Sequence, residues 1–342
     1  MRKIYLFMII GLSSIVFLGC TRHQGIVIYT ERHYETDQIL FDAFTETTGI
    51  ELNIVRASAD ELISKLQNEG DQTPADIIIF ADAGRLYRAK NLDLLQPYED
   101  EILKQQIDVG LYDDEYYWYG LTMRARAIMY AKDRVNVNEL STYEDLSYQK
   151  WDDRIAIRSS SNLYNISWIA SMMMNNGVSD TEMFLNQFVD RFHRTPAGND
   201  RDQAKLVASN VGADIAIMNT YYMGLLLNAS SEYEREVGAS LGVFFPNQGD
   251  NESGTHINIS AAGIVNASNQ VEESIQFIRF LTSNDAQSHF TNVNYEYPVN
   301  PQTTWNELLV SWGTFKRQTL DLNILGNYHE QAYELMIGAG WL

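Results

Sequence analysis

The feature that most restricts the fold of this chain is a repeated change of hydrophobic period near its start. Gly25-Ile-Val-Ile-Tyr29 is a short continuous apolar run suited to a buried strand. Residues 36–48 then place Ile39, Leu40, Ala43 and Phe44 at helical spacing, with Thr36 as N-cap and Gly49 as the stop. Residues 50–55 alternate as a strand does, residues 59–68 carry Leu62, Ile63 and Leu66 on one helical face, and Ala75-Asp-Ile-Ile-Ile-Phe80 is a second buried-strand run leading to a helix through Ala89. Alternation of β and α at this pitch predicts an α/β protein with parallel, helix-covered sheets. At 342 residues the chain exceeds what one hydrophobic core usually serves, so two lobes are expected.

Further along, Tyr112, Tyr116, Tyr117, Trp118 and Tyr119 form an aromatic tract leading into Gly120-Leu-Thr-Met-Arg124-Ala-Arg126-Ala-Ile-Met-Tyr130, which reads as a long strand crossing between the lobes. The tract itself reads as packing near the hinge, with a ring stacked over a sugar as the competing use. Residues 154–157, 213–218, 241–245 and 257–265 read as strands, and 142–146, 165–176, 181–192, 222–227, 271–281 and 285–290 as helical segments, with a mostly helical tail from Thr304. The Asn-, Gly- and Ser-rich loop 247–255 is where the chain is expected to return to the first lobe.

Arg2 and Lys3 precede the apolar run 4–18, too short for a membrane span, and Gly19-Cys20 follows, so the start reads as a secretory signal. Cys20 is the only cysteine, which excludes an internal disulfide and a thiolate metal cluster. Its setting after Phe17-Leu18-Gly19 resembles the lipobox of bacterial lipoproteins, with Phe17 where Leu is usual. That resemblance implies a signal peptide of residues 1–20 ending at Cys20, a lipid anchor on that cysteine, and a place in the periplasm or at the cell surface. Formal charge is −20, and loss of Arg2 and Lys3 with the signal makes it −22, which argues against a nucleic-acid partner.

Three polar loops share one plan, each bringing a tyrosine between an apolar run and an amphipathic one: Tyr29-Thr-Glu-Arg-His33-Tyr34, Arg158-Ser-Ser-Ser-Asn162-Leu-Tyr164 and Asn219-Thr-Tyr-Tyr222. In an open α/β sheet, ligands bind beyond the carboxyl ends of the strands, so these loops are expected to meet in a cleft. A tyrosine pair at one helix start indicates by itself only packing with a hydrogen-bonded hydroxyl. Recurrence on matching loops points to chemistry. A phenol titrates near pH 10 and is a poor ligand at neutral pH, but a trivalent hard cation displaces its proton, and hard anionic oxygen is what ferric iron prefers. Four phenolates against Fe(3+) leave one net negative charge, which helix N-termini at residues 36, 165 and 222 would offset. Arg124 and Arg126 would do so with full charges, hold a small anion, or serve as ion-pair partners of the many carboxylates. His33 is a borderline nitrogen donor, neutral when bound. His23, His193, His256, His289 and His329 read as surface or core residues. A secreted hydrolase finds little support, since there is no nucleophile elbow, no His-Glu-x-x-His motif, and no His set convincingly beside a Ser.

Arg32-His33-Tyr34, Ile157-Arg-Ser-Ser-Ser-Asn-Leu-Tyr164-Asn165 and Asn219-Thr-Tyr-Tyr222 together resemble the ferric-iron-binding periplasmic proteins of ABC transporters, the FbpA and FutA-like solute-binding group. Supporting stretches are Arg124-Ala-Arg126, Tyr130-Ala-Lys-Asp-Arg134-Val, His256-Ile-Asn-Ile-Ser260-Ala-Ala-Gly263 and Asn294-Tyr-Glu-Tyr-Pro298-Val, so the likeness runs from about residue 26 to residue 340. The resemblance implies a two-lobed type II periplasmic-binding-protein fold with a crossing-strand hinge. Residues 26–125 with 252–302 would form the first lobe and 126–251 with 303–342 the second. It implies Tyr34, Tyr164, Tyr221 and Tyr222 as tyrosinate ligands of Fe(3+). His33 stands at a position that some members use as a ligand and others do not. Arg124 or Arg126 would partner a synergistic anion such as carbonate in those members that bind one. The implied role is not enzymatic: a monomer captures Fe(3+) between its lobes and hands it to an ABC permease. The alternatives are a protein of the same fold for a polyamine or sugar, and, further off, a secreted hydrolase.

Overall fold

The computed structural model describes residues 25–32, 34–319, 321 and 325–342, so the signal segment, Cys20, His23 and His33 lie outside the described residues. In the first sheet, β1 (Ile26–Thr30) pairs in parallel with β2 (Leu52–Arg56) and β3 (Ile77–Phe80). Next to β3 runs β9 (Ile257–Val265), antiparallel, followed by the first half of β5 (Tyr119–Ala131). The short β4 (Leu95–Gln96) and β10 (Tyr297–Pro298) add to β9 and β5. The second half of β5 belongs to another sheet, antiparallel to β7 (Ile215–Asn219) and β8 (Leu241–Phe244), with β6 (Ile155–Ala156) parallel to β7.

The crossing strand foreseen at 120–130 is therefore present, and its switch point is sharp. Ala125 is the last β5 residue paired with β9, opposite Ile257, and Arg126 is the first paired with β7, opposite Asn219. Almost every β5 residue is buried, which is why its sequence is apolar on both faces apart from Thr122 and the two arginines.

Helices α1 (Asp37–Thr48), α2 (Ala59–Glu69), α3 (Ala83–Asn91) and α4 (Glu101–Gln106) follow the early strands. Next come α5 (Leu163–Asn176), α6 (Val178–Phe188), α7 (Asp200–Ala208), α8 (Tyr221–Leu227) and α9 (Glu232–Ser240), then α10 (Val271–Thr282), α11 (Asn284–His289), α12 (Glu307–Ser311) and α13 (His329–Gly338). Local chemistry explains their ends. Gly49 takes φ 75° and closes α1 in the left-handed conformation expected of a C-cap glycine, and Ser58 with Glu61 forms a reciprocal capping box on α2.

Several expectations need correction. The sheets are mixed rather than parallel throughout, because the two long strands that join them run against their neighbours. Helices α5 and α8 start at Leu163 and Tyr221, so Tyr164, Tyr221 and Tyr222 stand in first helical turns rather than in loops. Thr36 precedes α1 but its hydroxyl bonds to Asn294 instead of capping the helix. By contrast, the helical segment expected at 142–146 is present as a 3-10 helix over Glu144–Ser147, and the tail is mostly helical as expected, in Glu307–Ser311, Gly326–Tyr328 and His329–Gly338 among the described residues. Helices α4, α7 and α9 have no counterpart in the sequence reading: α9 buries only Val237 and Gly238, too narrow a stripe to show as periodicity.

Candidate functional site

The loop that leads to Tyr34 leaves β1 at its carboxyl end and is pinned by Arg32. Its guanidinium donates to Asp37 at 2.9 Å, to Glu296 at 3.0 Å and to Ser260 at 2.8 Å, all buried, while its backbone N–H donates to Thr30 Oγ1 at 3.0 Å. The guanidinium carbon also sits 4.7 Å from the Tyr34 ring centre, a cation–π contact that fixes the ring.

The other two tyrosine turns leave the parallel pair β6 and β7 of the second sheet at the same end. Asn165 knits the first of them together: its amide donates to the carbonyls of Arg158 and Ser159, each at 3.1 Å, and its oxygen accepts from Arg126 on β5. Tyr164 is thereby held on the first turn of α5. Thr220 does the same for the other turn, donating its backbone N–H to Ala125 at 2.9 Å and accepting from Ala125 N–H at 3.3 Å. Tyr221 and Tyr222 follow at once.

These placements bring the four tyrosines together. The Tyr34 ring meets Tyr221 edge-on, with centroids 6.1 Å apart at 87°, and Tyr221 and Tyr222 lie 4.1 Å apart. Tyr221 is 4% exposed and the others are half-buried. Each phenol is held above its ordinary titration range. Burial is the largest cause for all four, reinforced for Tyr34 by Glu296 and Tyr164 and for Tyr221 by Tyr34, Tyr164 and Tyr222. Burial, Asp200 and Tyr164 push Tyr222 up to about 12. For Tyr164, Arg124 opposes the burial that raises it. Phenolates gathered this closely would repel one another, so the cluster is suited to a cation that supplies the countercharge. Among the described residues no three His, Cys, Asp or Glu side chains are arranged to hold a metal ion.

Positive charge surrounds the cluster. Arg124 lies over Tyr164, its guanidinium carbon 5.6 Å from the ring centre, bonds to the Ala81 carbonyl and is 3.4 Å from Glu296. Its Nε and Nη1 have no hydrogen-bond partner among the described residues. Arg126 instead pairs with Asp200 at 3.1 Å and bonds to Asn165. Arg158 shares Asp200, at 2.6 Å. The dipole of α8 adds little, because that helix has only seven residues. Because Arg126 and Asp200 are both fully buried, Asp200→Ala leaves buried positive charge without its carboxylate. The expected cost is about 3–5 kcal/mol, read as a lowered urea midpoint of the metal-free protein.

Asp200, Glu296 and Glu31 are site residues that the sequence reading missed. Glu31 accepts the Ala81 N–H, and burial raises its carboxyl. Glu296 lies within the stretch Asn294–Pro298 already singled out, whereas Asp200 carried no signal beyond the capping residues Asn199 and Asp202 beside it. The aromatic tract turns inward: Trp118 and Tyr119 are buried, Tyr112 stacks on Tyr116, and Lys90 lies over Tyr117. A histidine does stand beside a serine, contrary to expectation. Ser167 Oγ is 3.2 Å from His329 Nε2. Yet Ser167 is fully buried within α5 and donates to Asp82 at 2.8 Å, an arrangement that gives no nucleophile a substrate could reach.

The chain matches the bacterial extracellular solute-binding protein family over residues 40–306. It is similar to iron uptake protein A1 of Synechocystis, 42% identical over 93% of this chain and 88% of that one. Among solved structures it is similar to the Trichodesmium FutA (IdiA) protein in complex with iron and citrate ligands, with TM-score 0.88, 42% identity, and coverage of 93% of this chain and all of that one. The ferric binding protein of Campylobacter jejuni is similar at TM-score 0.87 and 35% identity, covering 93% of this chain and all of that one. These relatives share the two-lobed type II fold and are transport proteins rather than enzymes. The chain thus belongs to the bacterial extracellular solute-binding proteins, in the group of FutA-like and FbpA-like ferric-iron-binding proteins.

Proposed function

We propose that this chain captures Fe(3+) in its interlobe cleft through the phenolates of Tyr34, Tyr164, Tyr221 and Tyr222 and delivers it to an ABC permease. The observation that carries the reading is the gathering of these four phenols from three separate strand-to-helix turns. His33, next to Tyr34, is the candidate fifth ligand. Arg124, whose buried Nε makes no hydrogen bond among the described residues and whose guanidinium lies over Tyr164, is the candidate contact for a synergistic anion such as carbonate. Arg126 is committed to Asp200 and Asn165 and is better read as a support.

In the metal-free protein the phenols keep their protons. Iron entering the cleft displaces them and removes the mutual repulsion that would otherwise forbid four phenolates in one dry site. Tyr164, Tyr221 and Tyr222 belong to the proposed second lobe, residues 126–251 with 303–342. Tyr34 belongs to the proposed first, residues 26–125 with 252–302. Only the closed arrangement lets all four reach one ion, so iron biases the hinge toward closure by its differential affinity.

The similarity to iron uptake proteins supports a periplasmic place for the chain. A lipid on Cys20 would tether it to the bacterial membrane, a monomer working beside its permease. No helix among the described residues is long and apolar enough to cross a membrane. Labelling with a palmitate analogue is expected in the wild type and lost in Cys20→Ser; retained label in the variant contradicts the anchor.

A polyamine or sugar fits the cleft less well. Glu296, Asp37 and Asp200 are already paired with arginines, so they offer no carboxylate to a polyamine, and the aromatic tract packs on itself rather than offering a ring face. Titration with ferric citrate distinguishes these readings. Saturation of a visible phenolate-to-iron charge-transfer band at one iron per chain is expected. A colourless titration, with thermal stabilisation by spermidine or a sugar instead, overturns the iron assignment.

A further inference from the structure

Two contacts flank the phenol cluster, one on each side, and both join the proposed lobes. On one side Asp82, 1% exposed and the N-cap of α3, accepts Ser167 Oγ at 2.8 Å and Asn258 Nδ2 at 2.9 Å. The His329 ring closes over the same point: its Nε2 is 3.2 Å from Ser167 Oγ and 3.9 Å from Asp82 Oδ1. This ring lies where a side chain at Gly84 would be, since a Cβ there would come within 2.4 Å of His329 Cε1. On the other side the Tyr295 ring rests on α8, and a Cβ at Gly224 would come within 2.2 Å of Tyr295 Cγ. Tyr295 takes φ 56° to reach that position, an uncommon conformation for a non-glycine residue, and is followed directly by Glu296, the carboxylate that pairs with Arg32 and Arg124.

The spacing relates the two contacts to the site. Ser167 lies three residues beyond Tyr164 on α5, and Gly224 three residues beyond Tyr221 on α8, so each contact falls one helical turn from a tyrosine on the same helix. We propose that Asp82, Ser167 and His329 on one flank, and Tyr295 with Gly224 on the other, are positioning residues for closure. They dock each tyrosine-bearing helix against the first lobe one turn from its phenol, so that Tyr34 meets the other three only when both contacts are made. The two glycines are the positions where any larger residue holds the lobes apart. This inference rests on the iron reading for what closure retains, while its residues are outside the assigned ligand set.

Gly224→Ala is the direct test, because alanine favours the helix and spares the fold while its methyl meets the Tyr295 ring. Ferric iron should still give a visible band from the second-lobe phenolates. Small-angle X-ray scattering should show that the iron-loaded variant stays more extended than iron-loaded wild type. Extraction of iron by excess chelator should be faster by about 10- to 100-fold, the range in which supporting contacts act on metal sites. Tyr295→Ala alone, which removes the contact without adding bulk at Gly224, should likewise speed extraction, and Ser167→Ala should speed it by about tenfold. Wild-type compaction and wild-type extraction rates in Gly224→Ala overturn the closure proposal while leaving the iron reading in place. A wild-type chain that takes up no ferric iron overturns the iron reading, and this proposal with it.

Discussion

Tyr221→Phe combined with Tyr222→Phe is expected to abolish the visible band and to weaken ferric iron binding by more than the roughly 100-fold associated with losing a supporting residue. The two hydroxyls are half of the proposed phenolate set, and Tyr34 and Tyr164 follow strands of different sheets with no neighbouring phenol on their own turns. The fold should survive the change. Phenylalanine keeps the 4.1 Å ring contact within the pair and the 6.1 Å edge contact to Tyr34, and it removes a buried hydroxyl whose loss costs little when nothing is left unpaired. Circular dichroism and the melting temperature of the metal-free double variant should therefore match wild type. A band of unchanged position and intensity would show that the ligands lie elsewhere.

Proton release is the second large effect. All four phenols are raised above their ordinary range, Tyr222 to about 12, chiefly by burial, so the metal-free protein holds them protonated at neutral pH. Binding as phenolates must expel those protons. The sign follows: iron-bound protein carries fewer protons than metal-free protein plus free iron, so affinity falls as pH falls across the whole range below the phenol titrations. Each proton expelled contributes about 1.4 kcal/mol per pH unit to the binding free energy. Competition against a chelator of known pH dependence should give a slope approaching four protons. Calorimetry in buffers of different ionisation enthalpy should count the same protons directly. A pH-independent affinity is incompatible with phenolate ligation. The same dependence offers a physical route to release, since an acidic environment loosens the site without any change in the protein's covalent structure.

Much of this arrangement was legible in the sequence, for identifiable reasons. The strand-to-helix turns announce themselves as changes of period, and Tyr34, Tyr164, Tyr221 and Tyr222 recur at those turns. The crossing strand was legible too, as an apolar run longer than one sheet needs. The arginines show where such reasoning stops. Arg124 and Arg126 are two apart and should share one face of a strand. The change of sheet between Ala125 and Arg126 sends one to the cluster and Glu296 and the other to Asp200. No local pattern records that switch. Glu296 is 264 residues from Arg32, and Asp200 is 74 from Arg126, so these carboxylates become site residues only through the topology. The serine–histidine contact hid for the same reason, with 162 residues between its members. Polar helices such as α7 and α9 were invisible because their stability comes from capping and from packing along a narrow edge rather than from a broad apolar stripe.

The surrounding charge network also explains why the cluster is stable without metal. Arg32, Arg124, Arg126 and Arg158 are each matched to a carboxylate. Their positive field therefore favours phenolate formation without leaving an isolated buried cation in the metal-free state.

The most direct test of the central claim is metal analysis of the purified full-length protein together with its absorption spectrum after exposure to ferric citrate. The account predicts one iron per chain and a visible phenolate charge-transfer band that disappears on reduction. A chain that remains colourless and free of iron, or that holds iron with no such band, would contradict it.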